Sequence, residues 1–205
     1  RLARHCRHHS RTLDPVAAMS LLSTRGLTKS YAGVTANSDI DFDLPMGQTR
    51  ALIGPNGAGK STFVGMISGR IEATSGTVSF AGEDISPLPA HKRIAKGIAY
   101  TFQITSVFGG LSVAENIALA ARRQLGTAAP AKVAEVLEQV SLADRADQTA
   151  RDLSYGHQRI LEIGMGLAQN PRLFILDEPT QGLAEAEIDA FKALIRALDP
   201  ATTIL

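Results

Sequence analysis

Nine consecutive residues, Gly54-Pro55-Asn56-Gly57-Ala58-Gly59-Lys60-Ser61-Thr62, have the types and spacing to hold a phosphate. The run fits G-x-x-x-x-G-K-[ST] and lies between the apolar "TRALIG" and the helix-like "KSTFVGMISG", the strand–helix context such a loop requires. Glycines let backbone N–H groups curl around phosphate oxygens with no side chain in the way. The helix that follows brings the positive end of its dipole to the same place. Lys60 can reach the β- and γ-phosphates of a nucleotide, and the Ser61 hydroxyl is a hard oxygen ligand for Mg²⁺. A merely flexible glycine-rich turn has no need of Lys-Ser in this register.

A metal-bound phosphate calls for an acid on a neighbouring strand. "LFILDE" supplies two: four apolar residues, then Asp177 and Glu178, at the C-terminal end of an expected buried strand, where α/β ligand sites form. Asp177 can hold Mg²⁺ directly or through water, and Glu178 is placed to polarise an attacking water. A third stretch, "LSYGHQR" (Leu153–Arg159), reads locally as a helix start with Ser154 at the N-cap.

The elements that must position these groups alternate. "DIDFDL" (Asp39–Leu44) puts Ile40, Phe42 and Leu44 on one face and three aspartates on the other, the period of a half-buried strand. "TRALIG" predicts a buried strand, "KSTFVGMISG" a helix, "GTVSFAG" a strand and "RLFILDE" a buried parallel strand. Between Ser112 and Ala168 the pattern is helical, with Val133, Val136, Leu137 and Val140 on one face. Ile188, Phe191, Ile195 and Leu198 line a further helix, and "TTIL" opens another strand. Strands alternating with helices around an all-helical block predict a mixed α/β core carrying a helical subdomain at about 104–168.

Composition sets the remaining bounds. With 44% hydrophobic and 20% charged residues the chain is that of an ordinary globular protein, and no apolar run has the length of a membrane-spanning helix. Cys6 is the sole cysteine, so no disulfide forms within the chain. Four arginines against one aspartate put the first eighteen residues at +3 of a net +1, leaving the rest at −2. This leader lacks the apolar region of a secretory signal. We expect residues 1–18 to be a non-native or disordered leader and 19–205 to be the folded domain.

The phosphate loop, "TFQ" at Thr101–Gln103, "LSYGHQ" and "ILDEPTQGL" stand in the order and spacing of ATP-binding cassette (ABC) ATPases, which the chain resembles from about Leu21 to Leu205. The resemblance implies an α/β P-loop NTPase core: a mixed sheet with flanking helices, an N-terminal antiparallel β portion and an inserted helical subdomain. It implies ATP and Mg²⁺ as cofactors and a role for each motif. Tyr31 in "TKSYAGV" would stack on adenine. Gln103 would sense Mg²⁺ and the γ-phosphate as a metal ligand beside Ser61 and Asp177, and Glu178 would be the catalytic base. Ile104–Phe108 would lie near a membrane partner. Leu153, Ser154, Tyr155, Gly156, His157 and Gln158 would form a signature that closes over the ATP of a second ABC ATPase subunit, in a homo- or heterodimer.

Within the family, "LEIGMGLAQ" after the signature looks most like importers of branched-chain amino acids or of urea. The implied setting is peripheral, on the cytoplasmic face of the inner membrane. Integral-membrane permease subunits would be direct partners and a solute-binding protein an indirect one; no nucleic acid is expected. Three departures stand out. Ala184 replaces an aspartate that supports contacts across the dimer, and His157 replaces Gln or Glu. The family's γ-phosphate histidine follows the strand begun by "TTIL", so residues 1–205 read as a C-terminally truncated domain and are expected to hydrolyse ATP weakly on their own. Two other readings stay open: a soluble ABC ATPase acting on nucleic acid or ribosomes, and a non-hydrolysing ATP-dependent interaction module.

Overall fold

The computed structural model of the chain describes residues 20–101, 106–126 and 129–205. The leader at 1–18 and Gln103 lie outside the described residues. Strands β1 (Ser20–Tyr31) and β2 (Val34–Pro45) form an antiparallel hairpin. Its two-residue turn, Ala32–Gly33, has positive φ at both positions, the geometry that matches strand twist in tight hairpins. The expected alternation holds in β2: Leu44 is fully buried and Ile40 and Phe42 pack against the core. On the other face Asp41 accepts the Gly26 N–H at 2.7 Å and Asp43 pairs with Arg25 at 2.8 Å. Strands β3 (Ser75–Phe80) and β4 (Glu83–Asp84) complete a sheet of order β2-β1-β3-β4.

A second, parallel sheet has the order β5-β6-β7, from β5 (Ile98–Thr101), β6 (Leu173–Leu176) and β7 (Thr203–Ile204). Around these sheets lie α1 (Lys60–Ser68), α2 (Ala90–Ala95), α3 (Val113–Leu125), α4 (Ala129–Gln139), α5 (Tyr155–Leu167) and α6 (Glu185–Ala197). Ser112 and Glu115 start α3 with reciprocal side-chain-to-backbone bonds of 3.1 and 2.7 Å, satisfying two N–H groups that the first turn leaves without partners.

One expected strand is not a strand. "TRALIG" touches the parallel sheet only at its start: the Arg50 N–H donates to Ile204 O and the Ile204 N–H to Gln48 O, both at 2.9 Å. Ile53 is 94% exposed. The N–H and C=O of Leu205 both bond to β6, at Phe174 O and Leu176 N, so past Arg50 the segment has no strand beside it among the described residues.

Two apolar clusters meet at β6. Leu173 and Ile175 face the one built from the hairpin and α1, with Leu22, Leu44, Phe63 and Ile67. Phe174 faces the other, built from α3 to α6, with Ile117, Val136, Leu161 and Phe191. Period-two alternation of a strand produces this division. The face expected on α4 is buried at Val136 and Leu137, with Val140 just beyond the helix, and α6 buries Phe191 and adds Leu194.

Candidate functional site

The Gly54–Thr62 loop ends in α1, whose first turn has neither a side-chain cap nor an acidic residue, so its N–H groups remain available to an anion. Gly59 has a φ of 82°, and a Cβ there would sit 2.5 Å from Ala36 O and 2.7 Å from Asn37 Nδ2. Conformation and space both demand glycine. The Ala58 N–H turns back to Pro55 O at 3.2 Å. The Lys60 ammonium lies across the loop, donating to Gly54 O at 2.8 Å and Pro55 O at 2.9 Å. Beside it opens a cleft of about 330 Å³, lined by Asn56, Gly57, Lys60, Ser61, Thr62 and Glu178 among others.

The acids arrive as the strand alternation requires. Asp177, in phase with Leu173 and Ile175, turns to the α1 side. Its Oδ1 accepts from Ser61 Oγ at a long 3.5 Å and its Oδ2 accepts from Tyr100 Oη at 2.8 Å. Burial, and after it this hydrogen bond, hold the Tyr100 phenol well above its ordinary range. Glu178 follows with φ 46°, a left-handed conformation that costs a non-glycine residue about 1–3 kcal/mol.

A buried arginine keeps it there. Arg159 of α5, 1% exposed, pairs with Glu162 at 2.6 Å and donates to Asp177 O at 2.9 Å, Glu178 O at 3.3 Å and Pro179 O at 3.4 Å. Three successive carbonyls are thus fixed by one planar donor fork.

Leu153–Gln158 form a separate group, none of which lines the cleft beside Lys60. Leu153 is buried and Ser154 caps α5, accepting the His157 N–H at 3.2 Å. The Ser154 hydroxyl also lies 2.7 Å from His157 Nδ1. The Gln158 amide donates to Ala150 O and Leu153 O, at 3.2 and 3.3 Å, and so fixes the turn that leads into the helix. Gly156 is closely covered: a Cβ there would collide with the Glu187 carboxylate, which also caps α6 by accepting the Ala184 N–H at 2.9 Å. The Tyr155 ring rests on Gly182.

Tyr31 stands at the hairpin tip, 45% exposed, with the Lys29 ammonium 5.0 Å from its ring centre, and is not among the residues lining the cleft. Reading the sequence missed Arg159, Tyr100, Glu187 and the cleft residues Ala36 and Gln181. For Arg159 a signal was present: an arginine three residues before a glutamate on the apolar face of a helix needs a buried partner. Nothing in the order of residues points to Tyr100.

A P-loop at the start of a helix, facing two acids at the end of a central parallel strand, defines a nucleoside-triphosphatase architecture. The profile of the family described as "ABC transporter" matches residues 37–181. The chain is 35% identical over 195 residues to the high-affinity branched-chain amino acid transport ATP-binding protein BraF of Pseudomonas aeruginosa, spanning 87% of this chain and 76% of that one. To the lipopolysaccharide export system ATP-binding protein LptB of Haemophilus influenzae it is 36% identical over 183 residues, 88% of this chain and 76% of the relative. The crystal structure of the ADP conformation of MJ1267, an ATP-binding cassette of an ABC transporter, superposes with a TM-score of 0.78 at 26% identity, covering 91% and 80% of the two chains.

The chain belongs to the ABC transporter family, and it is an ATPase of that class with the expected α/β P-loop fold. Among the described residues no helix is long and apolar enough to cross a membrane.

Proposed function

We propose that the chain binds MgATP at the Lys60 cleft and hydrolyses it to power an importer of branched-chain amino acids or related small solutes such as urea. The observation that carries the ATPase part is the convergence of Lys60, Ser61 and Glu178 on one cleft, with Asp177 beside Ser61 at 3.5 Å. The solute part rests on the likeness to the branched-chain amino acid transport relative.

The residues suit both ligands. Gly57, Gly59 and the bare first turn of α1 offer N–H groups to phosphate oxygens. Ser61 and Asp177 bring two hard oxygen donors together, and no ion pair neutralises Asp177 among the described residues. Such a pair suits Mg²⁺, which is held by few protein ligands together with phosphates. Bound there, Mg²⁺ would offset the charge that develops on the transferring phosphoryl group.

Lys60 exchanges its two carbonyl partners for phosphate oxygens, and Glu178 orients and polarises the attacking water. Gln103 reports γ-phosphate occupancy to the helical block at about 104–168, whose α3 and α4 pack on α5. Tyr31 stacks on adenine. Ser154 and the backbone around Gly156 close over the ATP of a second subunit, which agrees with their absence from the lining of their own chain's cleft. Permease subunits dock the dimer on the cytoplasmic face of the membrane, with a solute-binding protein acting indirectly.

Lys60→Ala is expected to weaken ATP binding itself, because the loop loses its one cation; equal affinity by titration contradicts this role. The solute is decided in proteoliposomes that hold the ATPase with its permease and binding protein. Stimulation of phosphate release by leucine, isoleucine or valine, or by urea, supports the reading, and stimulation by ribose alone removes it.

A further inference from the structure

Tyr100 has no part in the chemistry described so far, yet its hydroxyl makes the shortest hydrogen bond to Asp177. β5 and β6 run parallel with Tyr100 opposite Ile175 and Thr101 opposite Leu176, so the Tyr100 side chain reaches one step past the end of the ladder. There it donates to Asp177 Oδ2 at 2.8 Å, while Oδ1 faces Ser61 at 3.5 Å. The two carboxylate oxygens are thereby distinguished: one is engaged by a phenol, the other turned toward the Ser61 hydroxyl. The ring is held in turn by the Arg70 guanidinium, 4.6 Å from its centre, and Arg70 is anchored by its N–H to Gly65 O at 2.9 Å, just past α1. A chain of contacts therefore runs from the end of the phosphate-binding helix, through Arg70 and Tyr100, to the acid.

We propose that Tyr100 is a positioning residue for the metal, its hydroxyl aiming Asp177 so that Oδ1 shares a cation with Ser61. This rests on the reading of Ser61 and Asp177 as Mg²⁺ ligands. Groups that hydrogen-bond to a metal-ligating carboxylate fix its direction, and removing them typically costs about 10- to 100-fold in metal affinity. Tyr100→Phe deletes the donor and keeps the ring on which Arg70 lies.

The test is ATP titration of the wild-type chain and Y100F, in EDTA and across a series of Mg²⁺ concentrations. In Y100F the Mg²⁺ concentration giving half of the gain in ATP affinity is expected to rise about 10-fold, with affinity in EDTA within about twofold of wild type. In an Asp177→Asn background, where no carboxylate remains to be aimed, the Tyr100→Phe difference should vanish. A wild-type chain that gains nothing from Mg²⁺ overturns the underlying reading of the metal ligands. A wild-type gain with an identical Y100F overturns only the role of Tyr100, and so does an equal loss in EDTA and in Mg²⁺.

If Y100F does not fold, the 3-fluorotyrosine-labelled chain provides a second measurement. It has three tyrosines, and the ¹⁹F signal of Tyr100 can be assigned with Tyr31→Phe and Tyr155→Phe. That signal is expected to move when Mg²⁺ is added to the ATP-bound chain; a signal that stays fixed overturns the proposal.

Discussion

Glu178→Gln is expected to lower ATP turnover about 10²- to 10⁴-fold, the range for loss of a positioned general base, while ATP affinity stays close to that of the wild type. The amide keeps the shape of the side chain and can still touch a water, but it cannot accept a proton. The backbone geometry that aims residue 178 is imposed from outside it, by Arg159 on the carbonyls of 177–179, so it survives the substitution. Phosphate release and nucleotide titration on the same preparation separate the two effects. Unchanged turnover would remove Glu178 from the mechanism.

The second large effect is on stability. Arg159→Leu leaves the Glu162 carboxylate, 6% exposed, without its guanidinium and takes the donors from three carbonyls. Breaking a buried pair from one side costs about 3–5 kcal/mol, which for a chain of this size lowers the melting temperature by roughly 10 °C. Replacing both partners by leucine removes the stranded charge, so the double variant is expected to be more stable than the single one. Thermal unfolding of the three proteins decides it: equal melting temperatures would mean that the pair contributes nothing.

Much of this site is legible in the sequence. A glycine-rich loop with Lys-Ser reads locally, because its function lies in its own backbone N–H groups and the helix that follows. Asp177 and Glu178 read from one strand's hydrophobicity. Arg159 was half legible, since its helix position and the nearby glutamate announce a buried partner, but its bonds to residues 177–179 span about twenty positions of chain. Tyr100 was not legible: its contact with Asp177 depends on which strands lie side by side and in what register. "TRALIG" shows the opposite limit, for its composition is that of a buried strand, and it meets the parallel sheet only beside Ile204. In the structure the missing side chain of Gly156 makes room for Glu187.

The starts of α5 and α6 are tied together by that carboxylate over Gly156 and by the Tyr155 ring on Gly182, while Arg159 ties α5 to the stretch after Glu178. Three contacts thus join these two short pieces of chain. Ser154 stands at the start of α5, and Glu178 lies two residues past the end of β6. In the proposed dimer, a contact of the second subunit with Ser154 would therefore be felt by the stretch that carries Glu178.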